Sequence, residues 1–185
     1  MNPTLDQLAQ EFAQLIGPEP VAGVPVPPPA PKPAPPAAAG AAPAAPTPAP
    51  PPPPAPVQVV DFALRGVNLD VAAAPSQVVA AARLLDRNGF SIDTVTGVDW
   101  PAQGQMEVVY DFMHFTANLR VSVRARVPRD NPEIPTISGV FPGANWHERE
   151  THDFFGIRFA GHPNLKPFLL PEDADYHPLR KDYKP

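Results

Sequence analysis

Cysteine is absent from all 185 residues. That excludes disulfides, Cys-ligated zinc, thiolate-held iron–sulfur clusters and a thiol nucleophile, and it fits a reducing compartment. No apolar run approaches the roughly 18 residues that a membrane span requires. Positive charge is in deficit: 14 Lys and Arg stand against 19 Asp and Glu, a net charge of −5, which argues against a general nucleic-acid binder. The first residues carry Asp6 and Glu11 and no arginine, a pattern of neither a secretory signal nor a mitochondrial transit peptide. GxGxxG and Walker patterns are missing, and none of Ser76, Ser91, Ser122 or Ser138 sits in a GxSxG elbow.

Proline is what the chain has in excess, 31 in all. Residues 18–56 hold 19 prolines and 12 alanines, which predicts a disordered, polyproline-type linker. With one Glu and one Lys it reads as a spacer rather than a charge-driven ligand. It divides a head, 1–17, from a body able to bury one core. In the head, Leu5, Leu8, Phe12 and Leu15 or Ile16 share a helical stripe, with Thr4 as N-cap and Gly17-Pro18 as stop. This predicts a short amphipathic helix on a tether, whose removal together with the linker leaves the body folded.

Within the body, 57–130 reads as an α/β core. VQVVDF from Val57 is a short strand, Pro75–Asn88 a helix, and Phe90–Trp100 a strand. Gln105–Phe115 and Leu119–Val127 form a hairpin around a tight Ala117-Asn118 turn. Aligning the apolar faces sets Tyr110 opposite Ala125, Phe112 opposite Val123, and Asp111 opposite Arg124. The other face, with Glu107, Asp111, Arg120, Arg124 and Arg126, then reads as solvated or partner-facing. In 131–185, Thr136–Phe141 is a short helical turn and Ala144–Phe155 a helix closed by Gly156. From Arg158 onward recurrent prolines deny helix and sheet, yet Phe159, Leu165, Phe168, Leu169, Leu170, Tyr176, Leu179 and Tyr183 are too many large apolar groups for a free tail. An extended tail that packs on a partner is expected.

His147-Glu148-Arg149-Glu150-Thr151-His152 superficially matches a zinc-protease helix, but its histidines are five apart, about 140° around a helix, where a shared metal needs four. Glu148 and Glu150 point to different sides, so they form no acid–base dyad. Arg149 and Asp153 are four apart and can pair. His162-Pro163 and His177-Pro178 read as structural. Spacing alone yields no catalytic site. A free-standing hydrolase using His147, His152 and a carboxylate is the rival reading.

The ordered set Asn145–Ile157, Phe159–Leu165, Leu170-Pro171-Glu172-Asp173 and His177-Pro178-Leu179-Arg180-Lys181-Asp182-Tyr183 resembles the thirty-kilodalton subunit of NADH-quinone oxidoreductase, respiratory complex I. Gly97-Val98-Asp99-Trp100 and Val108-Val109-Tyr110 resemble its middle strands. The likeness covers about residues 60–185. It departs at Thr151 and His152, where the family has a small residue and an aromatic, and at Lys166 and Pro167, where it tends to have two arginines.

The resemblance implies an α+β fold: a two-layer α/β domain with a mixed sheet and an extended C-terminal tail. It implies a scaffold subunit in the peripheral arm, on the cytoplasmic side of the bacterial membrane. The large quinone-site subunit would be its neighbour. It also implies no cofactor on this chain, with FMN and iron–sulfur clusters on partner subunits. The interface would use Trp146, Glu148, Arg149, Glu150, Asp153, Gly156, His162, Pro163, His177, Pro178, Leu179, Arg180, Lys181 and Asp182. The equivalent subunit of a membrane-bound hydrogenase, or of a quinone dehydrogenase with another donor, fits the same residues.

Overall fold

The computed structural model describes residues 3–18 and 55–184. The expected linker therefore lies almost wholly outside the described residues. The elements are α1 (Leu5–Ile16), β1 (Val57–Val59), α2 (Phe62–Arg65), β2 (Leu69–Ala72), α3 (Val78–Arg87), β3 (Ser91–Trp100), β4 (Gln105–His114), β5 (Leu119–Pro128), β6 (Glu133–Pro135), α4 (Ala144–Phe155) and β7 (Arg158–Ala160). Five strands form one mixed sheet in the order β1-β2-β5-β4-β3, in which only β2 and β5 run parallel. The fold is α+β, with α1, α3 and α4 packed on the apolar side of the sheet and α2 setting Arg65 beside Asp70 on the other.

That face is built by alternation. Val95 of β3, Met106, Val108, Tyr110 and Phe112 of β4, Val121, Val123, Ala125 and Val127 of β5, and Leu69 and Val71 of β2 are all buried in one cluster. Ile134, Ile137, Phe141, Ala144, Ile157 and Phe159 join it from the C-terminal part of the chain. So does α1. Thr4 and Gln7 close a capping box, and the stripe Leu8, Phe12, Ile16 is buried. The Gln77 side-chain amide donates to the Leu15 and Ile16 carbonyls at 3.4 and 3.3 Å, and Asn88 Nδ2 donates to Glu11 Oε2 at 3.1 Å. These contacts tie α1 to the residues flanking both ends of α3. The head is thus part of the body's core rather than a helix held only by its tether.

Three readings of the body are corrected. The hairpin closes through four residues, 115–118, between the paired His114 and Leu119. Asn118 takes a φ of 50°, and the His114 ring accepts the Ala117 N–H at Nδ1. A two-residue turn would have shifted every partner by two. Tyr110 therefore faces Val123, Phe112 faces Val121 and Asp111 faces Ser122. An even shift preserves the faces, so the apolar side is as expected while the pairs are not.

The opposite face is not a solvated one at its centre. Sequence reading missed β2, and β2 places Asp70 beside Arg124, bidentate at 2.8 and 3.0 Å. Arg126 Nε meets Glu107 at 3.3 Å beneath Trp100, whose ring lies 4.7 Å from the guanidinium and whose Nε1 donates to Glu107. Asp70, Glu107, Arg124 and Arg126 are all under one-tenth exposed. Long side chains lying across their neighbours, with Arg65 of α2 3.6 Å from Asp70, exclude water there. Lastly, the chain past Arg158 does start with a strand: β7 pairs in parallel with β6. Beyond Ala160 no helix or strand follows among the described residues.

Candidate functional site

The motif helix α4 has two sides with different partners. Its inner side carries Ala144, Glu148 and Thr151, all buried. Thr151 Oγ1 donates to the Val95 carbonyl of β3 at 3.2 Å, and the Phe155 ring sits so close to Gly97 that a Cβ there would meet it at 2.5 Å. A glycine in mid-strand is thus explained by the helix lying on it. Glu148 is fully buried. Its Oε1 accepts the Ile137 N–H at 2.8 Å and its Oε2 bonds the Thr136 hydroxyl. Burial pushes its carboxyl up to about 7, against the pull of those two donors.

The outer side and the C-terminal end of α4 hold the tail. Asp153 Oδ2 accepts the backbone N–H groups of Phe168 and Leu169 at 2.7 Å each and of Leu170 at 3.3 Å. Arg149 donates from Nε to the Lys166 carbonyl (3.0 Å) and from Nη2 to the Pro167 carbonyl (2.8 Å). Its guanidinium lies 5.1 Å from both the Trp146 and Phe168 rings. Arg149 and Asp153 therefore each grip tail backbone instead of pairing with one another.

The last carbonyls of a helix have no partner within it. Here the tail supplies donors for three in a row. His177 Nδ1–H donates to the Asp153 carbonyl at 2.8 Å, the Leu179 N–H to Phe154 at 3.2 Å, and Arg180 Nε to Phe155 at 2.7 Å. Gly156 caps the helix at φ 75°, and a Cβ there would come within 2.5 Å of both Arg180 Nη2 and His177 Nε2. Glycine is thus required for the backbone and for the tail's approach.

The tail ends on the far end of β3. The Lys181 N–H donates to Asp99 Oδ2 at 2.8 Å. Arg129 holds Asp99 bidentately at 2.8 and 3.1 Å and reaches Asp182 at 2.7 Å. Arg129 holds the Asp99 carboxyl below its ordinary value. Sequence reasoning missed both Asp99 and Arg129 as tail anchors. The Gly97–Trp100 likeness marked the segment but not the role.

The fourteen residues singled out from sequence fall into three sets. Glu148 points into the body, Asp153 is buried beneath the tail it holds, and His162 has a wholly buried ring whose Nδ1 accepts the Asn164 N–H and whose Nε2–H donates to the Asn145 carbonyl. Arg149, Gly156, His177, Pro178 and Arg180 form the half-buried seam between helix and tail. Trp146, Glu150, Pro163, Leu179, Lys181 and Asp182 are exposed. Trp146, Leu169 and Leu179 each keep more than half their surface open, and Tyr176 and Tyr183 stack on one another with centroids 5.7 Å apart. The departures from the family pattern have local uses. His152 Nδ1–H donates to the Ile157 carbonyl (2.9 Å), and Lys166 and Pro167 serve through their carbonyls.

A cavity of about 40 Å³ remains between helix and tail, too small for a metabolite. Among the described residues no three His, Cys, Asp or Glu side chains gather as metal ligands, and no helix is long and apolar enough to cross a membrane.

The motif region is thus a helix whose end is completed by an extended arm, with large apolar side chains left outside. The matching family model is "Respiratory-chain NADH dehydrogenase, 30 Kd subunit", over residues 71–185, more than half of the chain, and the chain belongs to that family. It is 43% identical over 121 residues to the corresponding NADH-quinone oxidoreductase subunit of Roseiflexus sp. (strain RS-1), covering 62% of this chain and 69% of the relative. It is 45% identical over 92 residues to the like subunit of the F(420)H(2) dehydrogenase of Methanosarcina mazei, covering 49% and 58%. Among solved structures it resembles a chain of the membrane-bound sulfane sulfur reductase, an archaeal respiratory membrane complex, with a TM-score of 0.58 and 28% identity over 63% of this chain and 71% of that one. The chain is thus a complex I-like subunit.

Proposed function

We propose that this chain is a non-catalytic scaffold subunit in the peripheral arm of a proton-pumping NADH:quinone oxidoreductase. It docks on the large quinone-site subunit. In this reading electrons pass from NADH through FMN and iron–sulfur clusters on other subunits to quinone. The chain itself carries no cofactor and meets the cytoplasmic face of the membrane only through its partners. The observation that carries the reading is that Trp146 on α4, and Leu169, Leu179, Tyr176 and Tyr183 on a tail fastened to it by hydrogen bonds, keep their large apolar groups exposed. Such groups on an ordered arm are what an assembly contact buries.

The names of the Methanosarcina and sulfur-reductase relatives favour a second reading, the same subunit role with another electron donor. Purification of the tagged full chain from detergent-solubilised membranes tests both. Co-purification with a large partner subunit and NADH:quinone turnover supports the first reading. Co-purification without NADH turnover supports the second. Arg149→Ala and Arg180→Ala loosen the tail, so assembled complex should fall while turnover per complex stays near normal. Full assembly with turnover lost would sink the scaffold reading.

A further inference from the structure

Glu148 has no role in holding the tail, and its setting calls for another one. Its carboxyl is fully buried, and among the described residues no cation pairs with it. The nearest basic ring, His162, has Nε2 at 3.9 Å, but that ring is neutral by its own hydrogen bonds: Nδ1 is occupied as an acceptor and Nε2–H points to the Asn145 carbonyl. Burial, with Arg149 and His152 on α4, holds His162 below its ordinary value. Tyr110 of β4 faces Glu148 with a buried hydroxyl that has no hydrogen-bond partner among the described residues. On β3, Asp99 is held by Arg129 and the tail, and Asp93 lies with Arg120 on the other face of the sheet.

What Glu148 does have is a chain of hydroxyls leading outward. Oε2 bonds Thr136 Oγ1, which lies 2.8 Å from Ser138 Oγ and accepts the Ser138 N–H at 3.1 Å. Thr136 and Ser138 both line a cavity of about 410 Å³ whose other walls include Val79, Arg83, Gly139, Gly161 and Pro163. Arg83, Gly139, Gly161 and Pro163 are exposed, so the cavity opens to solvent.

We propose that Glu148, Thr136 and Ser138 form a reversible proton-binding site, filled from this cavity through the two hydroxyls. In the charged state Thr136 O–H donates to Oε2 and Ser138 O–H donates to Thr136 Oγ1. A proton delivered to Ser138 Oγ from hydronium in the cavity displaces Ser138's own proton to Thr136 Oγ1. Thr136's proton then passes to Oε2. In the neutral state every bond points the other way: the carboxylic acid donates to Thr136, Thr136 to Ser138, and Ser138 to water. One O–H bond forms on the carboxyl, one proton leaves bulk solvent, and no hydrogen bond is lost. A hydroxyl both donates and accepts, so the site holds either charge state without rearrangement. The value of about 7 places the change near neutrality. Since the folded value lies above the ordinary glutamate value of 4.5, the stability it contributes is full below about 4.5 and lost as pH rises through about 7.

The test is carbon-13 NMR of the full chain with labelled glutamate carboxyls, titrated from about pH 4 to about pH 9, with Glu148 assigned by its loss in Glu148→Gln. The expected result is a midpoint near 7 and a single moving resonance. Thr136→Val raises the midpoint, because the charged form loses a donor, and Thr136→Ser restores it. Ser138→Ala leaves the midpoint close to wild type but slows exchange, so that two resonances appear. A midpoint at the ordinary glutamate value, or a carboxyl still protonated at the alkaline end, overturns the site. Exchange in folded Ser138→Ala as fast as in wild type overturns the route.

Discussion

The two ends of the described chain both pack on the same body, and they do so by opposite means. α1 gives up its side chains: Leu8 and Phe12 are wholly buried, and its termini are served by Thr4 and Gln77. The C-terminal tail gives up its backbone. Its N–H groups go to Asp153, Phe154 and Asp99, its carbonyls go to Arg149, and Leu169 and Leu179 stay outside. Area removed from water stabilises a fold, whereas polar contacts mostly set position. On this contrast the N-terminal end is a part of the core, and the C-terminal end is an ordered surface with large apolar groups exposed.

The strongest way to break the contrast is at Phe12. Phe12→Ala should lower global stability by about 3–5 kcal/mol, the usual cost of emptying a fully buried aromatic site. Denaturant unfolding followed by far-UV circular dichroism measures it. This opposes the sequence-based expectation that the head is dispensable to the body. An unchanged midpoint would mean that α1 docks without contributing, and the two ends would no longer differ.

A substitution at the other end should act locally. Arg180→Ala removes a charged donor from the Phe155 carbonyl, a loss of about 1.5–3 kcal/mol for hydrogen bonds of this kind. Gly156→Ala has a similar reach. The left-handed backbone costs about 1–2 kcal/mol, and the added methyl displaces His177 and Arg180. In both, hydrogen exchange at 166–183 should quicken while amides of β4 and β5 keep their protection. Quickening throughout the sheet would show the tail to be as integral as α1.

This division explains what could be read in advance. Both helices at issue were legible: α1 from Leu8, Phe12 and Ile16, and α4 to the residue from its periodicity and Gly156. The sheet was half legible. The run from Val57 and the alternation beyond it found β1, β3, β4 and β5, but β2, four residues with Asp70 among them, becomes a strand by pairing with β1 and with β5 about fifty residues away. The hairpin register depended on His114 and Asn118 shaping a longer turn, which composition does not reveal. At the site, residue types were right and directions were not readable. That Asp153 would gather three tail amides, or that Glu148 would face Thr136, is set by where distant segments cross.

The smallest expected effect separates the two carboxylates that share Arg129. Asp99 is buried, held bidentately, and also receives the Lys181 N–H, while Asp182 meets the same guanidinium from the exposed side. Asp99→Asn strips the anchor of its charge and leaves Arg129 facing a weaker partner, so the tail's last residues should open. Asp182→Asn should leave the melting temperature unchanged and quicken exchange only around Lys181, because water replaces an exposed partner at little cost. Asp99's value is lowered from 3.8, so its contribution is present above that pH and is lost only as pH falls through the lower folded value. Glu148 runs the other way, with its contribution fading toward neutrality. Between these limits, then, mild acid should tighten α4 on the body while the tail stays anchored. Exchange rates followed as pH falls from neutrality would expose any tail release that begins above the ordinary aspartate range, and such release would show that Asp99 is not the residue that fastens it.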